Sequence, residues 1–439
     1  MQHEVSISAL AYTGLGLSHL ADGKVAFVAG GLPGDRLVVE IINDKGNYVD
    51  AQLIRFVEKS GERLPAACQH APTCGGCPWQ CLAYPVQLAW KRRFVVDALL
   101  RIGHIETADN LVSEVHASPN AWHYRNKMEF TLFSDDGRLK LGMYHQGSQQ
   151  LVAINNCPLL PENLAGIPGS LAGSLSYAFG KDKVWPYRIG IRNSIRTNQS
   201  ELALWSTPTG ARRGFLTQLL GEILPASSLV RVLTRENNSK RQVIKTEVLS
   251  GRGHWTEHMA GVRFMVSAPS FFQVNTEVAE TMVAKVLDLV APAGKRIWDL
   301  YSGVGSFSLP MALAGGQVTA VEIAGSAIRD FHRNCRATGL DSQVGLISGD
   351  VARAFQDSDQ LTSADIAVID PPRSGLQADT LAGLSKASLH ELVYVSCDPQ
   401  TLARDSARLA MAGFQLIAAY PFDLFPQSYH VETVAYFQR

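Results

Sequence analysis

From about residue 260 to its end the chain alternates short apolar runs of strand length with amphipathic runs of helix length, and this leaves few folds open. The apolar runs fall at 296–300, 317–323, 344–348, 366–370 and 392–396. Strands separated by helices predict a mostly parallel, doubly wound sheet. In such a sheet ligands bind beyond the carboxyl ends of the strands, so the residues that close each run are where function is sought first.

The first run closes on Asp299-Leu-Tyr301-Ser-Gly303-Val-Gly305-Ser306, whose glycines let a turn approach a ligand closely. It is not a G-x-G-x-x-G sequence, and two glycines suit a nucleoside without a diphosphate better than a dinucleotide. The second run ends near Glu322, about twenty residues on, where a carboxylate can take both hydroxyls of a ribose. The third ends at Asp350, where an adenine amino group would lie. Acids after three successive strands, Asp299, Glu322 and Asp350, together point to S-adenosylmethionine. The pattern resembles the class I methyltransferase fold, a Rossmann-like α/β architecture.

The fourth run closes on Asp370-Pro371-Pro372-Arg373, and prolines directly after a strand stiffen a loop at the sheet's active edge. The fifth closes on Ser396-Cys397-Asp398-Pro399, which sets a thiol at the same edge, and Glu432 stands just before a terminal strand at 434–437. A thiol and a carboxylate are what methylation of a pyrimidine carbon requires. C5 of uracil is too weak a nucleophile to attack a sulfonium methyl, but a thiolate added at C6 makes C5 an enolate carbon that can. A base must then remove the C5 proton so that the thiol leaves by elimination. Cys397 is the expected nucleophile and Glu432 the expected base. The thiolate is the reactive form, so a lowered Cys397 pKa is expected, with Arg373 as a nearby cation.

Residues 1–59 read differently: short runs with strand character at 5–10, 25–28, 36–42 and 48–56 are broken by glycines, which suggests a small closed barrel. Next comes Cys68-x5-Cys74-x2-Cys77, three closely spaced thiols among seven cysteines in all, then Cys81 and a helical stretch over 85–101. Three clustered thiols need a distant fourth ligand to complete a four-sulfur site, and the spacing by itself permits zinc. Cys81 and Cys335 read as packing residues. Residues 60–259 are expected to form a mainly β or α+β middle region that carries the thiols, and residues 260–439 the catalytic domain. The 85–101 helix is a candidate to pack on that domain.

Several of these segments resemble, in order, the motifs of the RNA uracil-5-methyltransferases: Ser270-Phe-Phe-Gln273-Val-Asn, Asp299-Leu-Tyr-Ser-Gly-Val-Gly, Asp370-Pro-Pro-Arg, Ser396-Cys397-Asp-Pro and His430-Val-Glu432. The glycine-rich start is similar to a TRAM domain, an oligonucleotide-binding-type barrel, in which Lys24 and Phe27 suit a weak RNA platform. With the cysteine segment, the likeness is to the branch that acts on 23S ribosomal RNA. The resemblance implies that Gln273, Tyr301, Ser306, Glu322, Asp350 and Asp370 contact or lie beside the methyl donor or target base. It also implies a [4Fe–4S] cluster held by Cys68, Cys74, Cys77 and Cys157, the last in a Cys-Pro turn. Ser306 stands where the family often has Asn.

Forty basic side chains balance forty acidic ones, so net charge argues for neither nucleic acid nor membrane. The distribution is uneven, with 21 basic and 13 acidic residues over 81–253 against 13 and 19 over 254–439. The middle excess lies in Lys91-Arg92-Arg93, 123–127, 181–196 with Trp185 and Tyr187, Arg212-Arg213 and 231–241. Basic groups interleaved with aromatics suit phosphates and unpaired bases, and His123 and Arg125 are the first candidates for RNA contact. A base inside a duplex cannot present C6 to a thiol, so the target uridine belongs in a single-stranded or loop region of RNA, or is flipped out. Transfer RNA is the alternative acceptor, and an RNA-binding protein with an inactive transferase domain is the alternative class. The N-terminus shows no cationic stretch before an apolar core, and no run of apolar residues suffices to cross a membrane, so a cytoplasmic monomer is expected.

Overall fold

The computed structural model describes residues 2–71, 73–179, 186–208, 213–224, 227–237, 240–357, 361 and 363–439. Lys181, Trp185 and Arg212 of the expected basic runs lie outside these.

The N-terminal unit is a six-stranded sheet built from Gln2–Ser6, Ala9–Leu10, Gly16–His19, Val25–Val28, Arg36–Asp44 and Tyr48–Glu58. Its ends close on each other where Ser18 Oγ donates to Ser6 O (2.7 Å) and Ser8 N to Leu17 O (2.9 Å). Val5, Val28, Leu37, Val39 and Val49 fill the interior. The run expected over 5–10 is two strands, broken at Ile7 and Ser8. Ile7 N still bonds in register to Asp35 O (2.9 Å), while Ser8 N turns to Leu17 O (2.9 Å), so the chain passes from one neighbour to the other at these two residues.

The middle unit is a seven-stranded sheet, mostly antiparallel, with helices Ile167–Phe179 and Arg213–Gly221. Leu171, Leu175, Leu216 and Leu220 of these helices share one core with Phe130, Ile189 and Leu204 of the sheet, an α+β arrangement. Residue 260 falls in the turn of a hairpin, Trp255–Met259 with Val262–Val266, and both strands of that hairpin pack into the catalytic core.

The catalytic sheet runs in the order Val344–Ser348, Gln317–Glu322, Arg296–Leu300, Ile366–Ile369, Glu391–Ser396, Glu432–Gln438, Gln415–Phe422. The first five are parallel, and Glu432–Gln438 runs antiparallel between its neighbours. Alternate residues of one strand enter opposite cores: Ile366 and Val368 one, Ala367 and Ile369 the other. This is the signature of a sheet covered on both faces. Helix Tyr84–Arg101 joins the second of these cores through Val95, Ala98 and Leu99, packed with Leu402 and Ala403 of helix Pro399–Met411.

Candidate active site

The sheet delivers the expected residues to one edge. The nucleophile's turn is built by its neighbours. Ser396 Oγ accepts from Asp398 N (3.2 Å), and the Asp398 carboxylate caps helix Pro399–Met411 by accepting from Gln400 N (2.8 Å) and Thr401 N (3.1 Å). Pro399 begins that helix, where a missing N–H costs nothing. Cys397, half-buried, is thus held between a finished strand and a capped helix.

Glu432 is the first residue of the antiparallel strand rather than a residue before it, paired with Phe422 and 5% exposed. Because this strand runs backwards, its beginning lies at the edge where the parallel strands end. Burial pushes the Glu432 carboxyl up to about 7, against the pull of the Arg373 guanidinium. Asp370 is pushed well above the usual carboxylate range by burial and by the carboxylates of Glu432, Asp299 and Glu322.

The expectation for Cys397 is reversed. Burial, with the Glu432 carboxylate next in size, pushes its thiol up to about 12. Arg373 does act in the expected direction, lowering the value, but it is outweighed.

At the nucleoside end, Tyr301 adopts φ 68° as the chain leaves its strand, and Gly303 and Gly305 follow at 58° and 92°. A Cβ on Gly305 would stand 3.1 Å from Leu309 and 3.2 Å from Phe331, so this turn requires glycine. Glu322 holds the turn: its Oε2 accepts from Gly303 N (2.8 Å) and its Oε1 from Ile323 N (2.8 Å) and Ala324 N (2.6 Å). Asp299 lies in the strand just before the turn, and its Oδ1 has no partner among the described residues. It is fully buried, accepts from the Ser308 hydroxyl, and is pushed up to about 7 by burial. Asp350 caps helix Val351–Gln356 through Oδ1, and with Ile323 and Ser348 it lines an open cleft of about 900 Å³. Ser306 is half-buried at the end of the glycine turn.

Gln273 closes the other side. It is 8% exposed, and its buried Oε1 is without a partner among the described residues. Its loop is gripped by the middle unit, where Asn126 Nδ2 donates to Gln273 O (2.8 Å) and Arg192, 3% exposed, to Ser267 O (2.9 Å) and Ser270 O (2.5 Å). Sequence reading missed both clamps, since an Arg in a basic run looks like surface. Phe271, 65% exposed beside Gln273, contrasts with the buried Phe272.

Burial also corrects the basic runs. Lys91 is fully buried against Asp423 (2.5 Å), and Arg92 pairs with Asp109 (2.7 Å), which leaves Arg93 as the exposed member of the trio. Arg231 is bound to Glu247 (2.7 Å). Lys24 pairs with Asp44 (2.9 Å), and Phe27 lies edge-on to Tyr48. His123 is exposed in a cleft of about 640 Å³ with Asn120, Asn193 and Ile195. Arg125 turns inward instead, over the rings of Tyr124 and Phe425 (5.8 Å to each) and into a cavity lined by thiols.

That cavity, of about 100 Å³, is lined by Cys68, Cys74, Cys77 and Cys157 together with Met128, Met143 and Ile154. Residues from four separate stretches of chain meet here, and Gly76 N donates to Cys74 Sγ (3.4 Å). Cys81 lies elsewhere, against Trp79 and Phe94, and Cys335 is buried in the catalytic core.

A Rossmann-like sheet with a nucleoside cleft beside a thiol–carboxylate pair defines a methyltransferase acting on a nucleic-acid base. Comparison with known proteins narrows the class. The tRNA (uracil-5-)-methyltransferase family model matches residues 217–439 and the TRAM domain model residues 2–54. An uncharacterized RNA methyltransferase of Thermosynechococcus vestitus is 36% identical, covering 98% of this chain and 97% of its own. One of Gloeobacter violaceus is 33% identical, covering 99% and 96%. The crystal structure of a Pyrococcus abyssi tRNA (uracil-54, C5)-methyltransferase in complex with S-adenosyl-L-homocysteine shares the fold, with a TM-score of 0.78 at 23% identity over 99% of each chain. The chain belongs to the tRNA (uracil-5-)-methyltransferase family, an RNA uracil-5-methyltransferase with an N-terminal TRAM domain.

Proposed function

We propose that the protein methylates C5 of a uridine in a single-stranded or loop region of 23S ribosomal RNA, through a covalent bond between Cys397 and C6. The observation that carries the reading is the pairing of Ser396 with Thr433, which sets Cys397 opposite Glu432. Cys397 Sγ, on losing its proton, adds to C6 and places the electron pair on C5 and the O4 carbonyl. C5 takes the methyl group as the donor's S–CH3 bond breaks and its electron pair stays on the sulfur, which leaves as a neutral thioether. Glu432 then accepts the C5 proton, the electron pair of the C5–H bond restores the C5–C6 double bond, and the S–C6 bond breaks to return the thiolate. A carboxyl poised near 7 suits a base that must both take and release a proton near neutrality. Arg373 draws both groups toward their charged forms.

S-adenosylmethionine supplies the electrophilic methyl group. The residues fit it: the partnerless Gln273 Oε1, the Asp370 carboxyl, the glycine turn held by Glu322, and the cleft at Asp350. The thiol cavity brings Cys68, Cys74, Cys77 and Cys157 together, a donor set that fits a [4Fe–4S] cluster and that zinc also accepts. Bound there, a cluster would cross-link the Cys68–Cys77 segment to Cys157 without an open iron, so its role is structural.

The test is incubation of anaerobically purified protein with labelled S-adenosylmethionine and RNA carrying 5-fluorouridine. Fluorine cannot leave as a proton does, so a C5-transferase is caught as a denaturation-resistant adduct. An adduct mapped to Cys397 with ribosomal RNA supports the reading. An adduct formed with transfer RNA alone moves the substrate to transfer RNA, the substrate class of the Pyrococcus abyssi enzyme. No adduct, with donor and RNA bound, removes the mechanism.

A further inference from the structure

The N-terminal barrel reaches the catalytic centre. The hairpin loop between strands Ala9–Leu10 and Gly16–His19 is tightened by Gly14 N on Ala11 O (2.8 Å) and Ala11 N on Leu15 O (2.8 Å). At its tip the Tyr12 hydroxyl donates to the backbone carbonyl of Cys397, at 3.3 Å. That carbonyl belongs to neither neighbouring ladder: Ser396 is the last paired residue of its strand, and the helix begins with Leu402 N on Asp398 O (3.0 Å). The same loop braces the other side of the site. The Tyr12 ring lies edge-on to Tyr429 (6.2 Å) and Phe94 (5.7 Å), and Trp79 Nε1 donates to Gly14 O (3.4 Å). Gly14, at φ +80°, is packed so closely that a Cβ would stand 2.4 Å from the Tyr429 ring. Tyr429 leads directly into His430 and Glu432.

We propose that Tyr12 is a positioning residue for methyl transfer: its barrel loop fixes the Cys397 backbone against the segment that carries Glu432, so the TRAM domain completes the catalytic centre as well as meeting RNA. The proposal rests on Cys397 being the nucleophile. A barrel serving only to tether RNA would need no contact with the nucleophile's own peptide, and its loss would weaken RNA binding alone.

The experiment compares adduct formation on 5-fluorouridine RNA by the full-length protein and its Tyr12→Phe, Tyr12→Ala and Gly14→Ala variants, with S-adenosylmethionine and RNA varied in turn. At 3.3 Å the hydroxyl–carbonyl bond is long, so its loss is worth roughly three- to tenfold in rate. Tyr12→Phe, which keeps the ring packing, should slow adduct formation by that factor at saturating RNA and donor. Half-saturating concentrations should stay within about twofold of wild type. Tyr12→Ala should be slower than Tyr12→Phe, so that the ring alone rescues part of the rate. Gly14→Ala, which drives a Cβ into the Tyr429 ring and so displaces the loop that carries Tyr12, should also slow adduct formation at saturation. Wild-type adduct with Tyr12→Phe at the wild-type rate overturns the proposal, as does a loss confined to the RNA half-saturation. Absence of adduct in the wild type overturns the nucleophile assignment, and the proposal falls with it.

Discussion

Cys397 and Glu432 stand opposite each other one residue beyond Ser396 and Thr433, the last pair of two antiparallel strands. Side chains directly opposite in such a pair share a face, with Cβ atoms roughly 5 Å apart. The Glu432 carboxylate raises the cost of charging Cys397, and Arg373 lowers the cost of charging either group. Cys397 therefore holds its proton more tightly than a free thiol.

Alkylation of Cys397 by iodoacetamide in RNA-free protein should be slow at pH 8 and still rising at pH 10, since the thiol titrates near 12. Glu432→Gln removes a neighbouring negative charge and should speed alkylation several-fold, whereas Arg373→Gln should slow it. Mass spectrometry of the labelled peptide checks both. Equal rates in all three proteins would mean that neither charge reaches the sulfur.

With 5-hydrogen uridine substrate, Glu432→Gln should let the Cys397–RNA adduct accumulate, because the addition step survives and elimination does not. Cys397→Ala should give neither adduct nor product. In the wild type, kcat/KM should fall as pH drops below about 7, where Glu432 takes up a proton and ceases to be a base. RNA bound to Glu432→Gln without adduct would remove its role.

Lys91→Met should cost about 3–5 kcal/mol, because it leaves the Asp423 carboxylate buried and unpaired. Lys91→Met combined with Asp423→Asn should recover part of that loss. Urea unfolding followed by Trp fluorescence measures it, and a cost below about 1 kcal/mol would show that solvent reaches the pair.

Asp299 binds its proton more tightly folded than unfolded, its carboxyl being pushed up from 3.8 to about 7. Between these values the folded state holds more protons, so this group's contribution is full below pH 4 and is lost as pH rises through 7. Asp299→Asn should flatten that part of the stability profile between pH 4 and 7, read as urea midpoint against pH. An unchanged slope would place the titration elsewhere.

Cys157→Ser should lower bound iron and sulfide well below the about four irons per chain expected of an anaerobically purified [4Fe–4S] protein. Cys81→Ser should leave them unchanged, because Cys81 packs against Trp79 and Phe94 outside the thiol cavity. Stoichiometric zinc in the wild type would replace the cluster.

Local signals were reliable wherever function and backbone need the same residue. The glycine turn at 303–305, the Asp-Pro after the nucleophile and the apolar strands each declare themselves within a few residues, because φ angles, caps and two-sided burial are local demands. Asp299 shows the limit of such signals: an acid at a strand end reads alike whether it is open to solvent or fully buried on Ser308. The run Lys91-Arg92-Arg93 misled, since consecutive helical residues point about 100° apart and only one of the three faces open solvent.

The sequence by itself pointed to the sheet, its cofactor edge, the thiol, the carboxylate and the three clustered cysteines, since each is a choice of residue type at a fixed place along a strand or turn, whereas Cys157 entered only through the family resemblance. Only the tertiary structure decided the burial that pushes the Cys397 thiol up, the inward path of Arg125, the grip of Arg192 on the Gln273 loop and the arrival of Tyr12 at the nucleophile. These depend on burial and on contacts across as many as 385 residues of chain, and desolvation has no local sequence signature.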